Sequence, residues 1–281
     1  MSAEPLRCGV VGDPIAHSLS PALHNAGYAA LALTASYDAR RVAAGRLAAH
    51  VAGLGADWRG LSVTAPLKRE ALDLATTATD RALLAGGANT LVRGTGSGGA
   101  WHADNTDLPG AVAAIRERYA GPVTAGVVLG GGATAASTAL ALAELGARRI
   151  RVAVRDADRA EETVAAIRRH PSDVDVAAVE LAGYRPAREE VVVSTVPAAA
   201  QSADLVARFA SVPVLFEAVY DPWPTPLAAA HPGPVVTGLD LLVHQAVLQF
   251  EMFTGRPGPL PAMRAAGETA LRERSADPAR R

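Results

Sequence analysis

Lysine is almost absent from this chain. Lys68 is the single lysine among 27 basic side chains, so the other 26 are arginines. Arginine keeps its proton at any workable pH, whereas lysine releases one when its surroundings lower its pKa. Lys68 is therefore a candidate for work that needs a titratable amine, set against the plain reading of a leftover surface cation. Cysteine is equally scarce. Cys8 alone excludes an internal disulfide framework and a cysteine-clustered zinc site, and no metal is expected. It lies in an apolar run and reads as a small core residue. Charge of one sign does not dominate either. At net −1 and with no basic block, neither nucleic acid nor an anionic membrane is an expected partner. No uninterrupted apolar run reaches membrane-spanning length, and no basic-then-apolar signal pattern opens the chain, so a cytoplasmic protein is expected.

What is present suits two domains with real cores: 281 residues, 49% apolar and 20% charged. Apolar runs and turn signals predict strands over 6–12, 35–40, 60–63 and 89–93, with helices after Pro21, over 43–52 and over 79–85. Residues 95–99, Thr-Gly-Ser-Gly-Gly, read as a flexible turn. A helix over 108–119 follows, and a second βα series places strands over 124–129, 149–154, 175–179, 191–194 and 214–218. A strong helix over 239–254 comes next, and 272–281 read as a frayed, charged tail. Strands alternating with helices give an α/β protein with mostly parallel sheets, the second block being doubly wound.

Several stretches carry chemistry. In Ser62-Val63-Thr64-Ala65-Pro66-Leu67-Lys68, a strand runs into Thr64, and Pro66 suits the first turn of a helix. Thr64 and Lys68 thus fall at the carboxyl end of a strand, where open α/β sheets bind ligands. Gly130-x-Gly132-x-x-Ala135 follows an apolar strand and opens a helix, the context in which glycines let a pyrophosphate approach backbone N–H groups. At the end of the next strand Val154 stands where a ribose-binding acid is usual, and Arg155 with Arg159 offers guanidinium groups for the 2′-phosphate of NADP. Asp156 points the other way, toward NAD.

Ser18 and Ser20 beside Pro21 fit a helix N-cap as well as a carboxylate cradle. Asn89 and Asp107 fit capping as well as ligand contact. Lys68, Asn89 and Asp107 are expected at strand ends along one sheet edge, where a lysine with a carboxylate forms a proton-transfer dyad. Gln245, within an amphipathic helix, reads by default as exposed.

Four ordered motifs carry a resemblance. They are Gly-Asp-Pro-Ile-Ala-His-Ser-Leu-Ser-Pro-Ala-Leu-His-Asn (12–25), Val-Thr-Ala-Pro-Leu-Lys (63–68), Gly-Ala-Asn-Thr-Leu (87–91) and Asp-Asn-Thr-Asp (104–107). After the glycine turn come Tyr220-Asp221-Pro222, Thr225-Pro226-Leu227, and Gly238 through Gln245-Ala246. Over about residues 8–255 the chain resembles the shikimate/quinate dehydrogenase family. The resemblance implies a substrate domain of residues 1–107 plus 239–281, an NADP-binding Rossmann domain of 108–238, and closure of the two over the substrate. It implies reversible NADP-dependent reduction of 3-dehydroshikimate to shikimate in aromatic amino acid biosynthesis, with Lys68 and Asp107 catalytic. Ser18, Ser20 and Tyr220 would serve the substrate carboxylate, and Thr64, Asn89, Asp107 and Gln245 the ring hydroxyls. Gly130, Gly131, Gly132, Ala133, Thr134, Ala135, Arg155, Arg159, Thr195, Val219 and Gly238 would line the cofactor.

The chain departs from the family pattern at Ser62 (commonly Asn), in the glycine turn, at Val154-Arg155-Asp156 (family Asn-Arg-Thr) and at Leu241 (commonly Met). Two other readings stay open: an NAD-dependent quinate or aminoshikimate-type dehydrogenase, and a non-catalytic metabolite or cofactor binder. Monomer and homodimer are both compatible with the sequence.

Overall fold

The computed structural model describes residues 6–94 and 99–276; residues 95–98 of the turn expected at 95–99, and 277–281 of the expected tail, lie outside them. Along the chain the elements are β1 (Leu6–Gly12), α1 (Ser20–Ala30), β2 (Ala35–Arg41), α2 (Leu47–Ala52), β3 (Trp58–Val63), α3 (Lys68–Leu74), β4 (Thr77–Ala78), α4 (Asp80–Ala85), β5 (Thr90–Arg93) and β6 (Trp101–Asp104). They continue with α5 (Asp107–Arg118), β7 (Ala125–Leu129), α6 (Ala133–Glu144), β8 (Arg149–Val154), α7 (Glu161–Arg168), β9 (Asp175–Glu180), β10 (Val191–Ser194), α8 (Ala203–Phe209), β11 (Val214–Glu217), α9 (Pro226–Ala230), β12 (Val235–Thr237), α10 (Gly238–Thr254) and α11 (Leu260–Ala276). Two compact units result, one of residues 1–106 with 242–281 and the other of 107–241.

The first unit is built on a six-stranded sheet of order β2-β1-β3-β5-β6-β4. Within it β5 alone runs against its neighbours, pairing antiparallel with both β3 and β6. Side chains alternate across a strand, and β3 shows the consequence. Leu61 and Val63 join a core with Leu47, Val51, Leu67, Leu91 and Trp101 on one face. Gly60 and Ser62 face α10 on the other: a Cβ on Gly60 would run into the Phe253 ring, and Ser62 Oγ donates to Gln249 Oε1 at 2.6 Å. Cys8 is buried in this unit, and burial pushes its thiol up to about 12.

The sequence-expected helix over 43–52 begins only at Leu47. Gly45 takes the left-handed region at φ +75, which breaks the helix, and the Glu70 carboxylate accepts the N–H groups of Gly45 (2.7 Å) and Leu47 (3.3 Å). Pro66 sits in the turn before α3 rather than in its first helical turn. Residues 272–276, expected in the tail, complete α11.

The second unit carries a fully parallel sheet of order β12-β11-β10-β7-β8-β9. In chain order that is the 3-2-1-4-5-6 arrangement of a doubly wound dinucleotide fold, with the order reversing between β7 and β10. Its central strands β7, β10 and β11 are buried on both faces, so β7 and β10 read as apolar runs. Val127, Leu129, Val192 and Leu215 pack with Leu205, Phe209 and Leu227 on one side. On the other, Gly126 leaves room for Leu142 of α6 to lie against β7. No helix among the described residues is long and apolar enough to cross a membrane.

Candidate active site

The reversed β5 gathers the first unit's polar residues. Thr90 pairs with Ser62 of β3 and with Asp104 of β6. The amino end of β5, where Asn89 lies, therefore falls on the same sheet edge as the carboxyl ends of β1, β3 and β6. The sequence-predicted positions after those strands, Thr64 and the Asn105-Thr106 pair, share that edge. Asn89 is buried and hydrogen-bonded through both atoms of its side-chain amide. Its Nδ2 donates to Thr106 Oγ1 (2.9 Å) and Gln245 Oε1 (3.1 Å), while its Oδ1 accepts the Thr106 N–H (2.7 Å) and the Thr90 hydroxyl (2.8 Å). Gln245 is buried rather than exposed, and its own Nε2 donates to the Leu242 carbonyl at 2.9 Å.

Lys68 is buried at 8% exposure and opens α3. Its carbonyl accepts the Ala88 N–H at 2.8 Å, which ties the start of that helix to the segment leading into Asn89. Asn105 Nδ2 holds the same segment by donating to the Gly87 carbonyl at 2.8 Å. Beneath it the Asp104 carboxylate takes Arg81 Nε (2.6 Å), the Thr79 hydroxyl (2.7 Å) and the Asn105 N–H (2.7 Å). That hydrogen bonding raises the Arg81 guanidinium pKa. Asp107 is buried and opens α5 in the second unit.

Thr64 is half-buried; its N–H donates to the Val11 carbonyl at 2.9 Å, and its methyl occupies the place a Cβ on Gly12 would need. Ser20 is buried and lies inside α1, whose N-cap is Leu19, so the capping reading of Ser20 fails. Ser18 Oγ instead accepts the Ser20 N–H at 3.3 Å.

In the second unit the glycine turn joins β7 to α6 beside the switch in strand order. Gly130 has φ +116, and a Cβ there would strike Thr195 Oγ1, which donates to the Leu129 carbonyl at 2.8 Å. A Cβ on Gly131 would strike the Arg159 carbonyl oxygen, whereas Gly132 is exposed and faces open space at the start of α6. A bare turn at the start of a 12-residue helix leaves backbone room for a pyrophosphate, so the residues present fit a dinucleotide. Ala133 is exposed, Thr134 half-buried and Ala135 fully buried against the fold.

Arg155 and Arg159 are both exposed after β8, where the Asp156 carboxylate accepts the Asp158 N–H at 3.2 Å and caps the short 3-10 turn. Val219 and Tyr220 follow β11 and are half-buried. The Val219 N–H donates to Glu217 Oε1 at 3.1 Å. Glu217 is fully buried and also takes Gln201 Nε2 and the Thr225 hydroxyl, each at 2.8 Å; burial raises its pKa. Gly238 packs without a Cβ against the Ala218 carbonyl and the Tyr220 ring. It opens α10 inside a reciprocal cap: Thr237 donates its hydroxyl to Asp240 Oδ2 at 2.8 Å, and the Asp240 N–H donates to Thr237 Oγ1 at 3.0 Å. Arg118 clasps the same carboxylate through Nη2 at 2.9 Å and Nε at 3.3 Å.

Sequence reasoning singled out Asn89, Thr106 and Gln245, which the fold joins, but passed over Gln249. Gln249 lies one helical turn after Gln245, so a second amide at i+4 on the buried face of α10 was the available signal. The Thr237-x-x-Asp240 spacing was a readable cap that the reading likewise missed.

Comparison with known proteins gives consistent matches. The family model for the shikimate dehydrogenase substrate binding domain matches residues 10–91, and that for the shikimate 5′-dehydrogenase C-terminal domain matches 238–266. A Caulobacter vibrioides protein named shikimate dehydrogenase (NADP(+)) is 39% identical over 265 residues, covering 89% of this chain and 90% of that protein. The crystal structure of Mycobacterium tuberculosis shikimate dehydrogenase superposes with TM-score 0.85 at 43% identity, covering 94% of this chain and all of the other. Shikimate 5-dehydrogenase from Thermus thermophilus, solved with NADP(H) and shikimate, gives TM-score 0.80 at 29% identity, covering 94% and 99%.

Proposed function

Given that this chain belongs to the shikimate dehydrogenase family, we propose that its single lysine, Lys68, carries the proton of the reaction, with Asp107 as the carboxylate that tunes it. The activity is that of an NADP-dependent oxidoreductase interconverting 3-dehydroshikimate and shikimate. NADPH, when bound, supplies the hydride. As the substrate carbonyl becomes an alcohol its oxygen gains negative charge. The Lys68 ammonium stabilises that oxygen and gives it a proton, and in the reverse direction the amine takes the proton back. Thr64, Asn89, Asp107 and Gln245 bind the ring hydroxyls, and Ser18 and Ser20, with Tyr220, take the carboxylate. The glycine turn from Gly130 to Ala135 holds the pyrophosphate; Thr195, Val219 and Gly238 line the nicotinamide end, and Arg155 and Arg159 take the 2′-phosphate.

The observation that best supports this reading is the Lys68 carbonyl bonded to the Ala88 N–H, which keeps the single lysine next to the buried Asn89–Gln245 amide pair. A cytoplasmic location and a monomeric or homodimeric state belong to the same reading and rest on the sequence.

The test follows loss of reduced nicotinamide absorbance with 3-dehydroshikimate, comparing NADPH with NADH and wild type with Lys68→Arg. The expected result is rapid oxidation of NADPH and a kcat lowered by about 10²–10⁴ in Lys68→Arg, the range of a lost general acid. A variant with wild-type kcat would refute the proton role. Preference for NADH would move the reading toward the quinate-type one. Tight ligand binding without turnover would make the chain a binder.

A further inference from the structure

The loop after β1 must receive a carboxylate if the proposed function holds, and backbone carbonyls would repel one. Two of its carbonyls are taken up by one side chain from the far end of the chain. Arg274, in the last turn of α11, donates Nη1 to the His17 carbonyl at 2.5 Å and Nη2 to the Ser18 carbonyl at 3.0 Å. A trans peptide sets its N–H opposite its C=O. Carbonyls turned onto Arg274 therefore turn the N–H groups of Ser18 and Leu19 away from it. The Ser18 N–H goes to the Ile15 carbonyl at 3.0 Å, and the Ser20 N–H to Ser18 Oγ at 3.3 Å, which closes the loop on itself. Of the N–H groups turned away from α11, that of Leu19 lies outside these two bonds, and a guanidinium that cannot lose its proton lies behind the loop.

We propose that Arg274 is a positioning residue for the substrate carboxylate: it withdraws the His17 and Ser18 carbonyls from the Ser18–Ser20 cradle and adds a fixed positive charge behind it. This rests on the reading that the cradle binds that carboxylate. No direct contact between Arg274 and substrate is required.

The test is calorimetric binding of shikimate and of its uncharged methyl ester to wild type, Arg274→Gln and Arg274→Lys, with steady-state kinetics alongside. Arg274→Gln removes the fixed charge and frees the two carbonyls, and it is expected to weaken shikimate binding by roughly tenfold, about 1.4 kcal/mol. It should leave ester binding and the NADPH KM close to wild type, so that the acid-to-ester ratio falls. Arg274→Lys keeps the charge but not the two-pronged grip and should fall between. An unchanged acid-to-ester ratio in Arg274→Gln overturns the proposal. Equal weakening of acid, ester and NADPH also overturns it, since that pattern marks a simple packing role for α11. Wild type that binds no shikimate would remove the substrate reading itself, a result distinct from either.

Discussion

Asn89 and Gln245 lie 156 positions apart in the chain, yet Asn89 Nδ2 donates to Gln245 Oε1 at 3.1 Å. Four residues on, Gln249 donates Nε2 to the Asn89 carbonyl (3.0 Å) and Thr90 Oγ1 (2.9 Å) while accepting from Ser62 Oγ (2.6 Å). The two glutamines share a helix but differ in duty. Gln249 is fully buried and satisfied within the protein, so Gln249→Ala leaves several buried polar groups unpaired. Each such group costs about 1–3 kcal/mol, and a clear drop in melting temperature is expected with the KM of surviving enzyme little changed. Gln245→Ala should do the reverse, raising the KM for 3-dehydroshikimate with a smaller loss of stability. Thermal melts and Michaelis curves on both variants decide; equal effects of the two would remove the distinction.

Cofactor choice should depend on Arg155 and Arg159. Both are exposed, so substitution leaves the fold intact, whereas Asp156 is occupied in capping the turn between them. The double variant Arg155→Ala with Arg159→Ala removes two charge-assisted contacts to a 2′-phosphate. Its preference for NADPH over NADH is expected to collapse by at least about tenfold, from the low end of about 1.5–3 kcal/mol per charged hydrogen bond. Asp156→Ala, which removes that cap, should change stability more than preference. A double variant that keeps the full preference would clear the two arginines of this role.

These sites were unevenly legible in the sequence. β10, buried on both faces, shows as an apolar run with its limits intact, and the glycine turn is readable because its context is local. The short β4, β6 and β12 carry too few residues for a period to show, and the reversed β5 depends on pairing that no local pattern encodes. Arg274 was unreadable for the same reason: its carbonyl partners lie 257 and 256 positions away in the chain. Asn89 could be named a candidate, but the partners that fix its side chain include Thr106 and Gln245, 17 and 156 positions away.

Acid should destabilise the protein through His24. The imidazole is fully buried, stacked on Tyr37 with ring centroids 4.1 Å apart and planes 4° from parallel, and enclosed by Tyr28, Phe250 and Phe253. Burial disfavours the cation and lowers its pKa from 6.5 to about 3. The unfolded chain thus binds a proton that the folded chain refuses between these values. The contribution is complete above pH 6.5 and is lost as pH falls toward 3, at up to about 1.4 kcal/mol per pH unit. Urea unfolding from pH 7 to 4.5 measures it. His24→Phe keeps an aromatic stack without the titration, so its stability should fall less steeply with acid; parallel slopes for variant and wild type would count against His24.

The glycine turn allows fold and cofactor to be separated by a single methyl group. At Gly131 the added Cβ meets the Arg159 carbonyl oxygen, a backbone atom that cannot swing aside, so Gly131→Ala should shift the turn and destabilise the unit by about 1–3 kcal/mol, as overpacking does. At Gly132 a Cβ meets open space, and the backbone, extended at φ −88, is one that alanine adopts without strain. There the loss of unfolded-state freedom should leave stability unchanged or raise it by about 0.4–1 kcal/mol. The methyl would nevertheless stand at the start of α6, where a pyrophosphate must come close to backbone N–H groups. Gly132→Ala is therefore expected to melt at or above the wild-type temperature while its NADPH KM rises markedly. Wild-type NADPH affinity in a well-folded Gly132→Ala would mean that the cofactor phosphates lie elsewhere, because only a ligand at the turn can feel a methyl that the protein itself does not.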